Sequence, residues 1–345
     1  MIKKNISLLF LLLFYLSFVF AQTFTEFQDP KIFEINKIYP HSNYIIPTDS
    51  NSFININGYW KFNFVSNIPD KPVDFYKIDF DDSKWLNFQV PANWELNGFG
   101  MPIYVNVPNE FDNSQFPKVP ETGNSVGSYR KSIVIPETWN NKQIFINLGA
   151  VKSCFYIWVN GQFVGYSEDS KTNAEFDITH YVKYGEQNIV ALQVMRWSDG
   201  SYLECQDFWR ISGIERDVFL YALPKTYVAD YSCTSGLDQS YKNGILNLNF
   251  QIQNKSDAAN NYSLDIAIEI PKESAKNQFI DSKIFHYSKS ISLNVPITNV
   301  SFEKLTFDSV PVWSAESPTL CTLIVKLLDN QGNTIQTIRQ KFGFR

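Results

Sequence analysis

The residues best equipped for chemistry fall in one stretch, Arg196-Trp197-Ser198-Asp199-Gly200-Ser201-Tyr202-Leu203-Glu204-Cys205-Gln206-Asp207-Phe208-Trp209-Arg210, which runs on through Ile211 to Val218. It is too polar for a core and too aromatic for a linker, and long loops on a rigid scaffold are where binding and catalytic groups concentrate. Glu204 and Asp207 lie three apart, with Asp199 and Glu215 close in sequence. Two carboxylates could serve a glycosidase, which requires them about 5–5.5 Å apart for retention and their pKa values driven apart. The nearby arginines argue against such a pair, because neighbouring cations lower carboxylate pKa values instead of raising one. A carboxylate that holds a hard cation or a sugar hydroxyl is the more plausible use of this loop. The competing reading is architectural: the charges pair with one another and the tryptophans cap a sandwich core.

Other chemistries fail on residue supply. The three histidines are His41, His180 and His286, none in an i, i+4 ligand pair, and each reads as a satisfied surface or core residue. A Gly-rich phosphate loop between a strand and a helix is missing. The net charge of −5 and the lack of a Lys/Arg block exclude a nucleic-acid partner. Cys154, Cys205, Cys233 and Cys321 are too few and too scattered for a disulfide framework or zinc site, and read as buried or semi-buried thiols. One bridge is permitted if two meet in space. Aromatics make up 16% of the chain, which suits sugar binding because Trp and Tyr offer flat apolar faces. Sandwich cores also consume aromatics, so most of Trp60, Trp85, Trp94, Trp158 and Trp197 are expected to pack.

The elements that position these residues read as strands. Phe155–Val159 and Phe163–Tyr166 flank Asn160-Gly161, a strong hairpin signal. Further strand-like runs lie at 132–135, 143–148 and 189–195, and helical periodicity is nearly absent. Many short strands without βα alternation predict an antiparallel sandwich or jelly roll. After Leu223-Pro224-Lys225 come plainer strands at 244–250, 264–270 and 320–328, with Asn330-Gln331-Gly332-Asn333 as the turn of a last hairpin. This texture fits an immunoglobulin-like sandwich. The expected organisation is a less ordered lead-in over residues 22–44, a first domain over 45–223 and a second over 224–345. Before them, Lys3 and Lys4 precede an apolar run from Leu8 to Phe20 and a small-residue cleavage pattern ending at Ala21. Met1–Ala21 is therefore expected to be a signal peptide, with export to the periplasm or medium and no membrane attachment after cleavage.

Several ordered motifs resemble the large bacterial β-galactosidases of glycoside hydrolase family 2. They are Asn57-Gly58-Tyr59-Trp60-Lys61-Phe62, Val90-Pro91-Ala92-Asn93-Trp94, Pro102-Ile103-Tyr104-Val105-Asn106-Val107, Trp158-Val159-Asn160-Gly161 and Val164-Gly165-Tyr166. The loop Arg196–Val218, Trp313-Ser314-Ala315-Glu316 and Gly343-Phe344-Arg345 complete the set. The loop Ser198–Arg210 is the specific one, and distinguishes this branch from β-glucuronidases and β-mannosidases. The resemblance implies a jelly-roll sugar-binding domain, then an immunoglobulin-like domain, then a junction near Arg345 into a TIM barrel that carries both catalytic glutamates and the Mg²⁺ ligands. It implies that Asn106 reaches sugar hydroxyls in the galactose subsite and that Asp207 contacts the galactose 6-hydroxyl and ligates Na⁺. Without the resemblance, Asn106 reads as a turn cap before Pro108 and Asp207 as a partner of Arg210 or Arg216. The expectation is an N-terminal portion of a retaining β-galactosidase, inactive alone, whose barrel is supplied in cis or in trans, with oligomerisation possible at full length. The alternative is a stand-alone carbohydrate-binding or assembly module. The fragment and docking readings both predict an exposed apolar surface.

Overall fold

The computed structural model describes residues 24–42, 45–47, 51–106, 109–204, 206–256, 260–271 and 282–345. The expected signal peptide and Cys205 lie outside the described residues. The architecture is all-β, a jelly-roll sandwich followed by an immunoglobulin-like sandwich, and its helical pieces are short 3₁₀ turns.

In the first sandwich a seven-stranded sheet faces a four-stranded one. The larger sheet runs, edge to edge, through Glu34–Ile35, Gln162–Ser167, Cys154–Val159, Gln187–Met195, Val126–Val134, Gly58–Val65 and Leu86–Val90. The smaller runs through Ala174–Asp177, Gln143–Leu148, Val218–Leu223 and Phe53–Asn55. Side chains alternate across a strand, and Cys154–Val159 is buried at every position because both of its faces are covered. Phe155, Ile157 and Val159 enter the core between the sheets, while Cys154, Tyr156 and Trp158 enter a second core on the outer face. The hairpin read from Asn160-Gly161 is present: both residues have positive φ (51° and 81°), the geometry that Asn-Gly turns adopt with least strain.

The second core is closed partly by residues that precede the first sandwich. Phe27 is buried there, Phe24 meets Tyr156 and Trp158 edge to face at 5.1 and 5.3 Å, and Glu34–Ile35 pairs with Tyr166–Ser167. Farther along, Ile38 packs beside Phe145 and Tyr221, and Ile45 is buried in the core of the second sandwich. The segment expected to be a less ordered lead-in is thus a strap across both domains. The sequence hides this because the strand and hydrogen-bond partners that fasten it, Tyr166, Glu175 and Asp230 among them, lie more than 100 residues away.

In the second sandwich, Thr226–Leu237, Gly244–Asn254 and Ile297–Phe307 form one sheet, and Ser282–Leu293, Asn260–Pro271, Cys321–Leu328 and Thr334–Phe342 the other. Leu246, Leu248, Phe250 and Ile252 alternate inward from the central strand of the first sheet. The last hairpin turns at Asp329–Asn333, where the Asn333 amide donates to the Asp329 carboxylate. Two of the motifs meet here: the Trp313 N–H donates to the Phe344 carbonyl at 2.8 Å, and Arg345 stands 6.0 Å over the Trp313 ring. Cys154, Cys233 and Cys321 are free thiols, and burial pushes the latter two up to about 11.

Candidate functional site

A small antiparallel ribbon brings together the two residues singled out for sugar contact. Ile103–Val105 pairs with Phe208–Arg210, with Phe208 opposite Val105, Trp209 opposite Tyr104 and Arg210 opposite Ile103. Asn106 follows Val105 and Asp207 precedes Phe208, so antiparallel register carries both to the same end of the ribbon. Both are exposed. The Tyr104 hydroxyl donates to Asp207 Oδ1, and this hydrogen bond, ahead of burial and charge, raises the Tyr104 pKa. Asp207 therefore meets a phenol instead of the salt bridge to Arg210 or Arg216 considered from sequence. Arg210 is drawn inward, with Nε 3.8 Å from Glu110. The capping role considered for Asn106 falls at Pro108, outside the described residues.

The ribbon also presents an apolar surface. Tyr104 and Trp209 meet edge to face at 5.5 Å and stay 54% and 51% exposed, and Phe208 is 45% exposed. Leu203, Met101 and Phe116 add further exposed apolar area nearby in sequence. By contrast Trp60, Trp94, Trp158 and Trp197 are buried, as expected for packing, and Trp85 packs against Phe75. Trp209 was not distinguished from these by sequence, since exposure depends on its cross-strand partner.

Beneath the ribbon, a buried charge cluster holds the loop. Arg196 lies between Glu95 at 3.6 Å and Glu110 at 3.5 Å. Glu95 accepts the Ser212 N–H at 2.7 Å, and the Trp197 indole N–H donates to Glu110. The Glu204 carboxylate takes the Ser170 N–H at 2.9 Å and its hydroxyl at 2.6 Å, while Lys171 pairs with Glu215 at 2.7 Å. Gly213 adopts φ +119°, and a Cβ there would come within 2.6 Å of the Ala92 carbonyl, so only glycine lets the loop's far end pair with Ala92–Asn93.

The expectation that arginines would depress the loop's carboxylates is overturned. Burial raises the pKa of Asp199 and of Glu204, outweighing the Ser170 hydrogen bonds and the Lys152 charge at Glu204. Glu168, beside Asp199, is pushed up to about 8, again chiefly by burial. Desolvation wins because the loop buries these acids, while Arg196 and Arg210 are engaged by Glu95 and Glu110. A hydrolytic pair still does not follow, since Glu204 is bound to Ser170 and Asp207 to Tyr104 on different partners.

Asp207 suits a hard cation only in part. It offers an exposed carboxylate, but among the described residues no cluster of three or more His, Cys, Asp or Glu could hold a metal. Further oxygen ligands would have to be carbonyls, hydroxyls, water or groups of other segments.

The fold is thus a jelly roll carrying a polar loop, joined to an immunoglobulin-like sandwich. The family described as "Glycosyl hydrolases family 2, sugar binding domain" matches residues 53–224, and "Glycosyl hydrolases family 2" matches residues 226–345. The chain belongs to glycosyl hydrolase family 2. It is 36% identical over 331 residues to a beta-galactosidase of Priestia megaterium, covering 92% of this chain and 31% of that protein. A beta-galactosidase of Streptococcus thermophilus is likewise 36% identical, over 93% of this chain and 31% of its own length. The chain thus spans about a third of the length of these relatives. Among solved structures, a beta-glucuronidase of Bacteroides uniformis superposes with TM-score 0.69 at 21% identity, over 85% of this chain and 32% of that one. A beta-glycosidase from Bacteroides vulgatus gives 0.62 at 23%, over 85% and 34%. These two likenesses establish the fold.

Proposed function

We propose that this region forms one wall of the galactoside subsite of a β-galactosidase that hydrolyses terminal non-reducing β-D-galactose, with Asn106 and Asp207 as its sugar contacts. The observation that carries the reading is the exposed end of the ribbon, where a side-chain amide and a carboxylate adjoin paired strands. An amide donates and accepts, and a carboxylate has acceptor capacity beyond the one bond Tyr104 takes. Together they can address adjacent sugar hydroxyls. Hydrolysis would proceed with retention, using two carboxylic groups of a TIM barrel that joins this region in cis or in trans. Asp207 would supply one ligand to a Na⁺ ion completed by barrel residues, and Mg²⁺ would arrive with the barrel. A bound Na⁺ would supply a fixed positive charge for substrate oxygens. The exposed Tyr104, Phe208 and Trp209 favour such a barrel as the ribbon's neighbour. The N-terminal leader would direct export.

The isolated chain should not turn over an aryl β-galactoside, and turnover well above background would overturn that. In an enzyme completed with its barrel, Asp207→Asn should weaken galactose binding and the response to Na⁺. Unchanged kinetics and sodium response would leave the loop purely structural. Calorimetry separates the alternative, since a stand-alone carbohydrate-binding module should bind galactosides without a barrel.

A further inference from the structure

The strap that precedes the first sandwich is fastened where the two domains meet. The Ile38 N–H donates to the Glu175 carbonyl at 2.8 Å on the first sandwich, and the Ser42 N–H donates to Asp230 at 2.9 Å on the second. Between them His41 has a side chain only 8% exposed. Its Nε2 lies 2.7 Å from Glu175 Oε1 and its Nδ1 lies 2.9 Å from the Ser42 carbonyl. Both ring nitrogens face oxygens that can only accept, so both bonds form only when both nitrogens carry protons. A neutral imidazole can make one of them.

We infer that His41 is a pH-sensitive pin: protonated, it locks the strap across both sandwiches, and on losing its proton it releases one of its two bonds and its ion pair.

The surroundings agree on the sign. Glu175 is held in place by the Tyr221 hydroxyl at 2.6 Å and the Asn147 amide at 3.1 Å, so its acceptor oxygen is fixed before the imidazole arrives. Asp230 faces the ring from Thr226–Leu237. The phenols of Tyr221 and Tyr227 complete the wall, and burial raises both so far that they remain neutral donors. Burial opposes the charge on His41, but Glu175, the Ser42 carbonyl and Asp230 outweigh it and raise its pKa. A cavity of about 270 Å³ bordered by Tyr39, Pro40, His41, Glu175, Tyr227 and Asp230 gives protons access. A raised folded value means that the pin is fully set below the unfolded imidazole's 6.5. It is lost as pH rises through the folded value.

The test uses the purified chain. With three histidines in the sequence, NMR titration of the imidazoles, assigned by loss of one signal in His41→Gln, should give His41 a midpoint above 6.5. Hydrogen-exchange protection at the Ile38 and Ser42 amides should fall as pH rises through that midpoint, tenfold for each unit by which it exceeds 6.5. In His41→Gln the protection should show no such step. A His41 midpoint at or below 6.5, or the same step in both proteins, would overturn the inference. If that variant fails to fold, loss of the other two signals in His180→Gln and His286→Gln assigns His41 by elimination, and its midpoint still decides the matter.

Discussion

Among the described residues, the first sandwich buries Glu95, Arg130, Lys152, Glu168, Arg196 and Arg210 along with other polar groups, whereas the buried polar side chains of the second are Thr226, Thr322 and Gln336. Both are β-sandwiches built on the same alternation, so fold type does not explain the contrast. Taking an ion out of water costs several kcal/mol unless it is paired and hydrogen-bonded. A sandwich that needed only stability would avoid that cost, as the second does. In the first, Arg130 is held by Asp82 and the Phe75 and Lys77 carbonyls, and the other charges named gather at the loop that carries Asp207, where they hold a long irregular segment in one shape. Among the described residues, buried charge is thus a property of the first sandwich alone.

This contrast is sharpest at Arg196. Arg196→Met leaves Glu95 and Glu110 buried around an uncharged side chain, and should destabilise the first sandwich by about 3–5 kcal/mol. Urea unfolding followed by tryptophan fluorescence will read it, because every tryptophan except Trp313 precedes residue 224. The next effect is a gain. Glu168 is raised to about 8 from an ordinary 4.5, so the native state holds its proton more tightly than the unfolded chain, and stability falls as pH climbs between those values. Glu168→Gln removes that titration, and at pH 8 its folding constant should exceed the parent's by more than tenfold, with the advantage vanishing near pH 4.5. An equal advantage at both pH values would show that burial is not what the carboxyl pays for. In the second sandwich, Thr322→Val should change stability by no more than about 1 kcal/mol. If it matched Arg196→Met, the division between the domains would collapse. Smallest of all, Asp207→Asn should leave the melting temperature unchanged, since the side chain is exposed, and a clear drop would place Asp207 among the structural charges.

Much of this architecture was legible in the chain. The strands around Asn160-Gly161, the run 143–148 and the last hairpin at Asp329–Asn333 could be read because alternation and turn chemistry are local properties. Ile38, His41 and Ile45 could not be placed, because nothing local marks a segment whose partners are Glu175, Asp230 and the distant core. The carboxylate pKa values went the wrong way from sequence for a related reason. Proximity to arginine along the chain says nothing of burial, and at Asp199 and Glu204 burial is the larger effect.

The sequence by itself determined the class of fold, the family resemblance and the residue types at the ribbon's end, since these depend on pattern and composition. Only the tertiary structure decided that Asn106 and Asp207 share that end, that Tyr104 reaches Asp207 across 103 positions, and that Trp209 stays in solvent while Trp197 does not. Those outcomes rest on strand register and on which faces are covered, and both are set by contacts between segments far apart in the chain.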